Sequence, residues 1–360
     1  MEVVSPVPYV PRWLRVGRWR IPAAIPKKER IGGLFVHHPR YFLLPKVSMW
    51  LHGLLLFLGS LRLVLKLNAR AKFDCIDAHF VYPDGFAAVL LGKALGVPVS
   101  VSARGTDINV YPSLRAIRSM IRWTLFEADE VIAVSKALKD AMIALGTDPG
   151  KVHVIPNGVD EKRFKQVNQM EARRQLGLPV SARALVSIGA LIPSKGHDLL
   201  IQAFERIARR QPNLTLYILG EGPARSTLEA LIDRGNLQDR VQLIGKRPNE
   251  ELLHWFSAAD ISCLTSEREG WPNVITESLA CGTPVVGTRV GGIPEILGSE
   301  DFGVLVDQTV ESVANGLELA LSKKWDRAAI SQRTRARTWA HVALEVQEVL
   351  ARQQARKLIR

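Results

Sequence analysis

At 360 residues the chain exceeds the length one hydrophobic core ordinarily supports, so two domains are expected. An apolar fraction of 47% with 27 Gly and 20 Pro excludes fibrous and disordered classes, and three scattered cysteines, Cys75, Cys263 and Cys281, exclude a disulfide framework or a zinc site. Lys and Arg outnumber Asp and Glu 48 to 35, a net of +13 that draws phosphates, nucleic acid or an anionic membrane face; without a helix-turn-helix, zinc-finger or aromatic-platform signature, no specific nucleic-acid partner is expected.

The opening Met1-Glu-Val-Val-Ser5 reads as a strand already in progress, and no glycine-rich turn follows it. A doubly wound sheet normally opens with a strand, such a turn and a helix, so that first strand and loop are expected to be missing. No export signal opens the chain, which points to the cytoplasm. Between Arg12 and Arg30, Arg12, Arg15, Arg18, Arg20, Lys27, Lys28 and Arg30 interleave with Trp13 and Trp19. This pattern suits either an anionic bilayer interface, and so a peripheral position on the inner membrane face, or a solvated basic loop. Val47 to Leu61 carries no formal charge but is shorter than the roughly 20 apolar residues a span needs. It reads as a core helix or as one lying in the interface near a lipid-linked acceptor.

From Phe73 onward short β-rich runs alternate with amphipathic stretches, the mark of a parallel sheet covered by helices. Strands are expected at Cys75 to His79, Val97 to Ser102, Glu130 to Val134 and Val152 to Ile155. Pro156-Asn-Gly-Val-Asp160 is a turn where one domain hands over to the next. A second series follows at Ala184 to Ile188, Leu214 to Leu219, Val241 to Ile244, Ile261 to Leu264, Pro284 to Gly287 and Gly303 to Val306. The last helical stretch, Thr338 to Lys357, is longer than this sheet needs and is expected to cross back. The expected fold is therefore α/β: an acceptor-side Rossmann-like domain at 1–158, a second Rossmann-like domain at 159–337, and a returning helix at 338–360.

The sharpest chemical signal is Glu269-Gly-Trp-Pro-Asn-Val-Ile-Thr-Glu277, which follows the strand Ile261 to Leu264 and enters a helix. Glu269 then lies at the carboxyl end of a strand, where open α/β sheets bind ligands. Pro272 suits the first helical turn, and the N–H groups of Asn273 and Val274 face outward toward an anion such as a diphosphate. Glu277, one turn later, reaches the hydroxyls of an attached ribose. The plain alternative is a capped helix with an incidental acid.

With these residues the chain resembles glycosyltransferase family four, the retaining family with the GT-B fold: two Rossmann-like domains whose parallel sheets face a central cleft. The pattern E-G-[FW]-P-N-[VA]-x-x-E is whole at Glu269 to Glu277, and G-x-P-V-V-x-T-x-V-G-G-x-P-E is present as Gly282 to Glu295. Pro156 to Asp160 matches the family's linker, and the likeness covers nearly everything from Asp74 onward.

The resemblance implies that Glu277 binds the donor ribose, that Glu269 contacts the transferred sugar and stabilises the reacting centre, and that the Gly270, Trp271, Pro272, Asn273 and Val274 segment holds sugar and phosphates through its amides. It implies a UDP-, GDP- or similar nucleotide sugar as donor, no metal, and a saccharide or lipid-linked acceptor. Ser187 to Gly196 fits the family's G-R-L-x-x-x-K-G with Lys195 as the cation for the diphosphate. Ala190 stands where many relatives carry an arginine, so either Arg289 substitutes for that charge or donor binding is weaker.

In the first domain Arg104 replaces the histidine of the family's H-G-x-D, either to meet the diphosphate or to brace the loop through Asp107. His79 and Asp84 follow the preceding strand on the acceptor side, and Arg247 lies near the donor base. The expected activity is retaining transfer of a hexose-type sugar in polysaccharide or glycolipid biosynthesis. The competing reading is a nucleotide-sugar-binding protein without turnover.

Overall fold

The computed structural model describes residues 1–9, 24–43 and 49–359, with side chains to residue 353. Arg12, Arg15, Arg18, Arg20, Trp13 and Trp19 of the basic segment, and Val47 and Ser48 of the uncharged stretch, lie outside the described residues. The chain divides into two compact units: Met1–Val134, Leu138–Val154 and the residues from Val346 on form the first, and Ser135–Ala137 with Ile155–Glu345 the second.

The first unit begins with five short strands, β1 (Val3–Val4), β2 (Val7–Pro8), β3 (Lys28–Ile31), β4 (Leu34–His37) and β5 (Arg40–Tyr41). β1 runs parallel to β4, β4 folds back antiparallel on β3 through Gly32 and Gly33, and β2 pairs with β5. Helix α1 (His52–Arg70) follows; the described part of the uncharged stretch thus leads into and forms the start of a helix, with Leu56, Val64 and Leu67 buried on one side. Next come β6 (Ile76–His79), α2 (Phe86–Leu95), β7 (Val99–Ala103), α3 (Arg115–Glu127), β8 (Glu130–Ala133), α4 (Lys136–Ala144) and β9 (Val152–Val154).

β6 to β9 form a parallel sheet in sequential order. Every residue of β7 and β8 is buried, as expected of central parallel strands covered on both faces. The one charge among them, Glu130, is 1% exposed and is matched by His153 at 2.6 Å.

The second unit is built from α5 (Gln169–Gln175), β10 (Arg183–Ile188), α6 (His197–Ala208), β11 (Leu214–Leu219), α7 (Arg225–Arg234), β12 (Val241–Gly245), α8 (Asn249–Ala258), β13 (Ile261–Leu264), α9 (Asn273–Ala280), β14 (Val285–Thr288), α10 (Ile293–Leu297), β15 (Gly303–Val306), α11 (Val310–Ser322) and α12 (Arg327–Arg335). Its sheet is wholly parallel in the order β12-β11-β10-β13-β14-β15. Apolar residues of α6 at Leu200, Ile201, Phe204 and Ile207 recur at helical spacing and pack on Leu185, Leu216 and Ile218. Full burial of each stabilises the unit by roughly 1.5–3 kcal/mol. A final helix, α13 (Trp339–Ile359), starts in the second unit and belongs to the first from Val346 on.

Between β10 and β13 the strand order reverses. β11 and β12 add on one side of that point, β14 and β15 on the other. Helices that follow the two central strands turn to opposite faces, which leaves a crevice beyond the strands' carboxyl ends.

Candidate active site

Lys195 and Glu269 stand on the two loops that flank this reversal. The loop after β10 ends in the turn Pro193–Lys195 and then Gly196, whose φ of 65° favours glycine. A Cβ at Gly196 would lie 2.1 Å from the carbonyl oxygen of Thr265, the first residue of the other loop. The Thr265 hydroxyl donates to the Gly196 carbonyl at 2.7 Å, and the Glu267 N–H to the Ser194 carbonyl at 3.0 Å. With the loops fastened in this way, Lys195 Nζ meets Glu269 Oε1 at 2.6 Å, a charge-assisted contact between side chains only 27% and 10% exposed.

The second motif supports the first. Gly291, with φ 51°, follows β14 and presses against Glu269 so closely that a Cβ there would be 2.0 Å from the Glu269 carbonyl oxygen. The neighbouring Gly292 N–H donates to the Gly270 carbonyl at 3.0 Å. The Gly-Gly pair thus holds the backbone of Glu269 and Gly270, while Trp271 packs beside Gly292.

Pro272 has an extended ψ of 100° and occupies the cap position just before the first turn, so α9 begins at Asn273. Proline carries no N–H, so nothing is lost at that position. No side chain caps the helix, which leaves its first N–H groups and the positive end of its dipole for an anion. Asn273 is steadied by Asn157 of the Pro156–Asp160 turn, whose Nδ2 donates to Asn273 Oδ1 at 2.9 Å.

One turn along α9, burial pushes the Glu277 carboxyl up to about 7, with Arg163 pulling the other way. Its carboxylate has no hydrogen-bond partner among the described residues. In its ionised form such a desolvated acceptor without a donor is suited to neighbouring hydroxyls, such as those of a ribose.

Of the remaining expected residues, Arg247 lies exposed two residues beyond β12. Arg289 is at the end of β14, 3.7 Å from Asp307. His197, which sequence reasoning missed, opens α6 with 2% exposure, its Nδ1 3.3 Å from the Ser187 hydroxyl. Burial pulls its ring down to about 4, so it is neutral at pH 7, and its Nε2 lies beneath Gly189. Its only sequence signal is its place after Lys195-Gly196.

In the first unit, His79 and Arg104 end adjacent strands β6 and β7, and Arg104 Nη2 donates to His79 Nδ1. An arginine always donates, so His79 carries its proton on Nε2, which is 3.5 Å from Asp77. The bracing role considered for Asp107 is made by the backbone: its buried carboxylate accepts the N–H groups of Val81 at 2.8 Å, Gly105 at 2.8 Å and Arg104 at 3.2 Å. Phe80, next to His79, has φ 75°, a strained conformation for a bulky residue and one concentrated at functional loops. Burial raises the nearby Asp84 carboxyl to about 6, with Asp107 adding to the rise and His79 opposing it.

The two parallel α/β units define a GT-B protein, and solved structures agree. Sucrose-phosphate synthase from Thermosynechococcus elongatus superposes with a TM-score of 0.78 over 92% of this chain and 86% of its own, at 22% identity. Anabaena Alr3699/HepE, solved in complex with UDP, does so with 0.73 over 88% and 86% at 23% identity.

Residues 168–337 match the model of glycosyl transferases group 1, and residues 6–163 that of glycosyltransferase family 4. TuaC of Bacillus subtilis, a glycosyltransferase named for teichuronic acid biosynthesis, is 30% identical over 81% of this chain and 72% of its own length. N-acetyl-alpha-D-glucosaminyl L-malate synthase of Bacillus anthracis is 30% identical over 66% of this chain and 62% of its own length. The chain thus spans less than two thirds of the latter relative and somewhat more of the former. It belongs to the group 1 glycosyltransferases of family four.

Proposed function

We propose that this protein moves a sugar from a nucleoside diphosphate donor to a hydroxyl of a saccharide or lipid-linked acceptor in polysaccharide or glycolipid assembly, with retention of configuration and without a metal. The observation that carries this reading is the Lys195–Glu269 pair at 2.6 Å across the reversal of the sheet, beside the uncapped start of α9. In this reading Lys195 turns its charge to the diphosphate, whose oxygens also take the free amides near Asn273 and Val274. Glu269, released from the lysine, lines the transferred sugar and stabilises the positive charge that develops at its anomeric carbon. Glu277 accepts the ribose hydroxyls.

The acceptor hydroxyl attacks on the face the diphosphate leaves. As the new C–O bond forms, the sugar–phosphate bond breaks and the acceptor proton passes to the departing phosphate oxygen. The protein supplies position and charge. His79, fixed by Arg104, contributes an Nε2–H for an acceptor oxygen. The Anabaena protein was solved with UDP and with UDP-glucose, which makes uracil the first base to test.

A thermal-shift screen of nucleoside diphosphates identifies the base, since a ligand selective for the folded state raises the melting temperature. Release of that nucleoside diphosphate from its sugar ester then measures turnover. Binding without release, under all acceptors tried, selects the alternative of a nucleotide-sugar-binding protein, a reading that Ala190 in place of a cation favours.

A further inference from the structure

We infer that the first unit docks on an anionic lipid bilayer through the outer flank of α1. This stands independently of the reaction proposed above. The chain's positive charge is segregated. Residues of the first unit comprise 24 Lys and Arg against 12 Asp and Glu, a net of +12, whereas 24 against 23 leave the second unit at +1.

On the first unit α1 carries two apolar flanks. One is packed: Leu56, Ser60, Val64 and Leu67 are buried, and the backbone sits so close to its neighbours that a Cβ at Gly53 would be 2.7 Å from the Phe86 ring and one at Gly59 2.5 Å from Tyr41. The other is bare. Trp50, Leu54, Leu58 and Leu65 are 52%, 40%, 55% and 43% exposed, and their spacing of four, four and seven residues aligns them in one stripe.

The stretch Met49–Arg70 is long and apolar enough to cross a membrane. The close contacts at Gly53 and Gly59 fasten it instead along the body of the unit, so it meets a bilayer lying in the plane of the interface. Arg62 and Lys66 project just beside the stripe and Arg70 closes the helix, none of them in an ion pair among the described residues. An apolar stripe edged by cations and ended by a tryptophan matches the acyl–headgroup boundary of an anionic leaflet. A second copy is the poorer occupant, because a two-fold contact brings the same cations face to face. The β3–β4 hairpin of the same unit repeats the chemistry, with Ile31, Leu34 and Phe35 exposed and the Lys28 ammonium 3.8 Å from the Phe35 ring.

Flotation of the full chain with vesicles of phosphatidylcholine, alone or with about 30% phosphatidylglycerol, tests this. The expected result is retention on the anionic vesicles and binding at least about tenfold weaker on the neutral ones. A Leu54→Ser/Leu58→Ser variant and an Arg62→Glu/Lys66→Glu variant should each lose about tenfold or more in vesicle binding, with thermal unfolding unchanged. Leu319→Ser, at an equally exposed leucine of the second unit, should bind like the wild type. Wild-type binding by both double variants, or no preference for anionic lipid, overturns the inference. A wild-type dimer that the leucine double variant converts to monomer reassigns the stripe to self-association. Donor turnover on a soluble acceptor serves as the separate readout: its absence in a chain that still floats with anionic vesicles sinks the reaction and leaves the docking surface standing.

Discussion

The two units share an architecture and differ in charge and in how their loops are held. In the second, charge is nearly balanced and the functional loops are clamped by backbone contacts too close for any side chain, at Gly196 against Thr265 and Gly291 against Glu269. In the first, cations outnumber acids two to one, an apolar helix flank is left bare, and the loops beside His79 are held by side chains, chiefly the three amides gathered by Asp107. Backbone clamping fixes the two loops that carry Lys195 and Glu269, so their side chains meet from a rigid frame. Side-chain bracing depends on the one carboxylate of Asp107, so it is open to change at a single position.

This contrast is broken most readily at Glu269. Glu269→Gln keeps the shape and removes the charge, and turnover should fall by about 10²–10³ with the dissociation constant of the nucleoside diphosphate little changed. A larger loss of binding than of turnover would move Glu269 from the reacting centre to ground-state recognition.

Next in size is the clamp itself. Gly291→Ala forces a Cβ onto the Glu269 carbonyl at a positive φ, and thermal or denaturant unfolding should show a loss of roughly 1–3 kcal/mol together with reduced turnover. An Asp107→Asn change in the first unit should reduce stability without altering affinity for the nucleotide, measured by calorimetry.

A smaller effect is expected from pH. The Glu277 carboxyl is held up at about 7 by burial, so it is ionised above that pH and protonated below it. Only the ionised form accepts from two ribose hydroxyls, so donor affinity should weaken by about tenfold from pH 8 to pH 6. Glu277→Gln should bind weakly and show no such slope. A wild-type affinity that is flat over this range would detach Glu277 from the ribose. Smallest of all, Leu58→Ser on the exposed flank of α1 should change unfolding stability by no more than about 0.5 kcal/mol.

Much of the fold was legible because parallel sheets repeat a simple rhythm. Strands from β6 to β15 fall within one or two residues of their expected bounds, and the glutamate motif stands after β13 as its sequence implied. Period and turn residues carry that information locally. The Lys195–Glu269 pairing was not readable, since its partners are 74 residues apart and meet only because β10 and β13 are neighbours in the sheet. The neutrality of His197 and the raised carboxyl of Glu277 arise from desolvation by the assembled core, which no local pattern encodes.

The central claim is that Lys195, held on the β10 loop, exchanges Glu269 for a pyrophosphate. Isothermal calorimetry of a nucleoside, its monophosphate and its diphosphate against wild type and Lys195→Ala tests it directly. The diphosphate should bind the wild type at least about tenfold more tightly than the monophosphate, and Lys195→Ala should cut that preference to a few-fold, the share left to the amides of α9. A preference for the diphosphate that survives undiminished in Lys195→Ala would contradict the account.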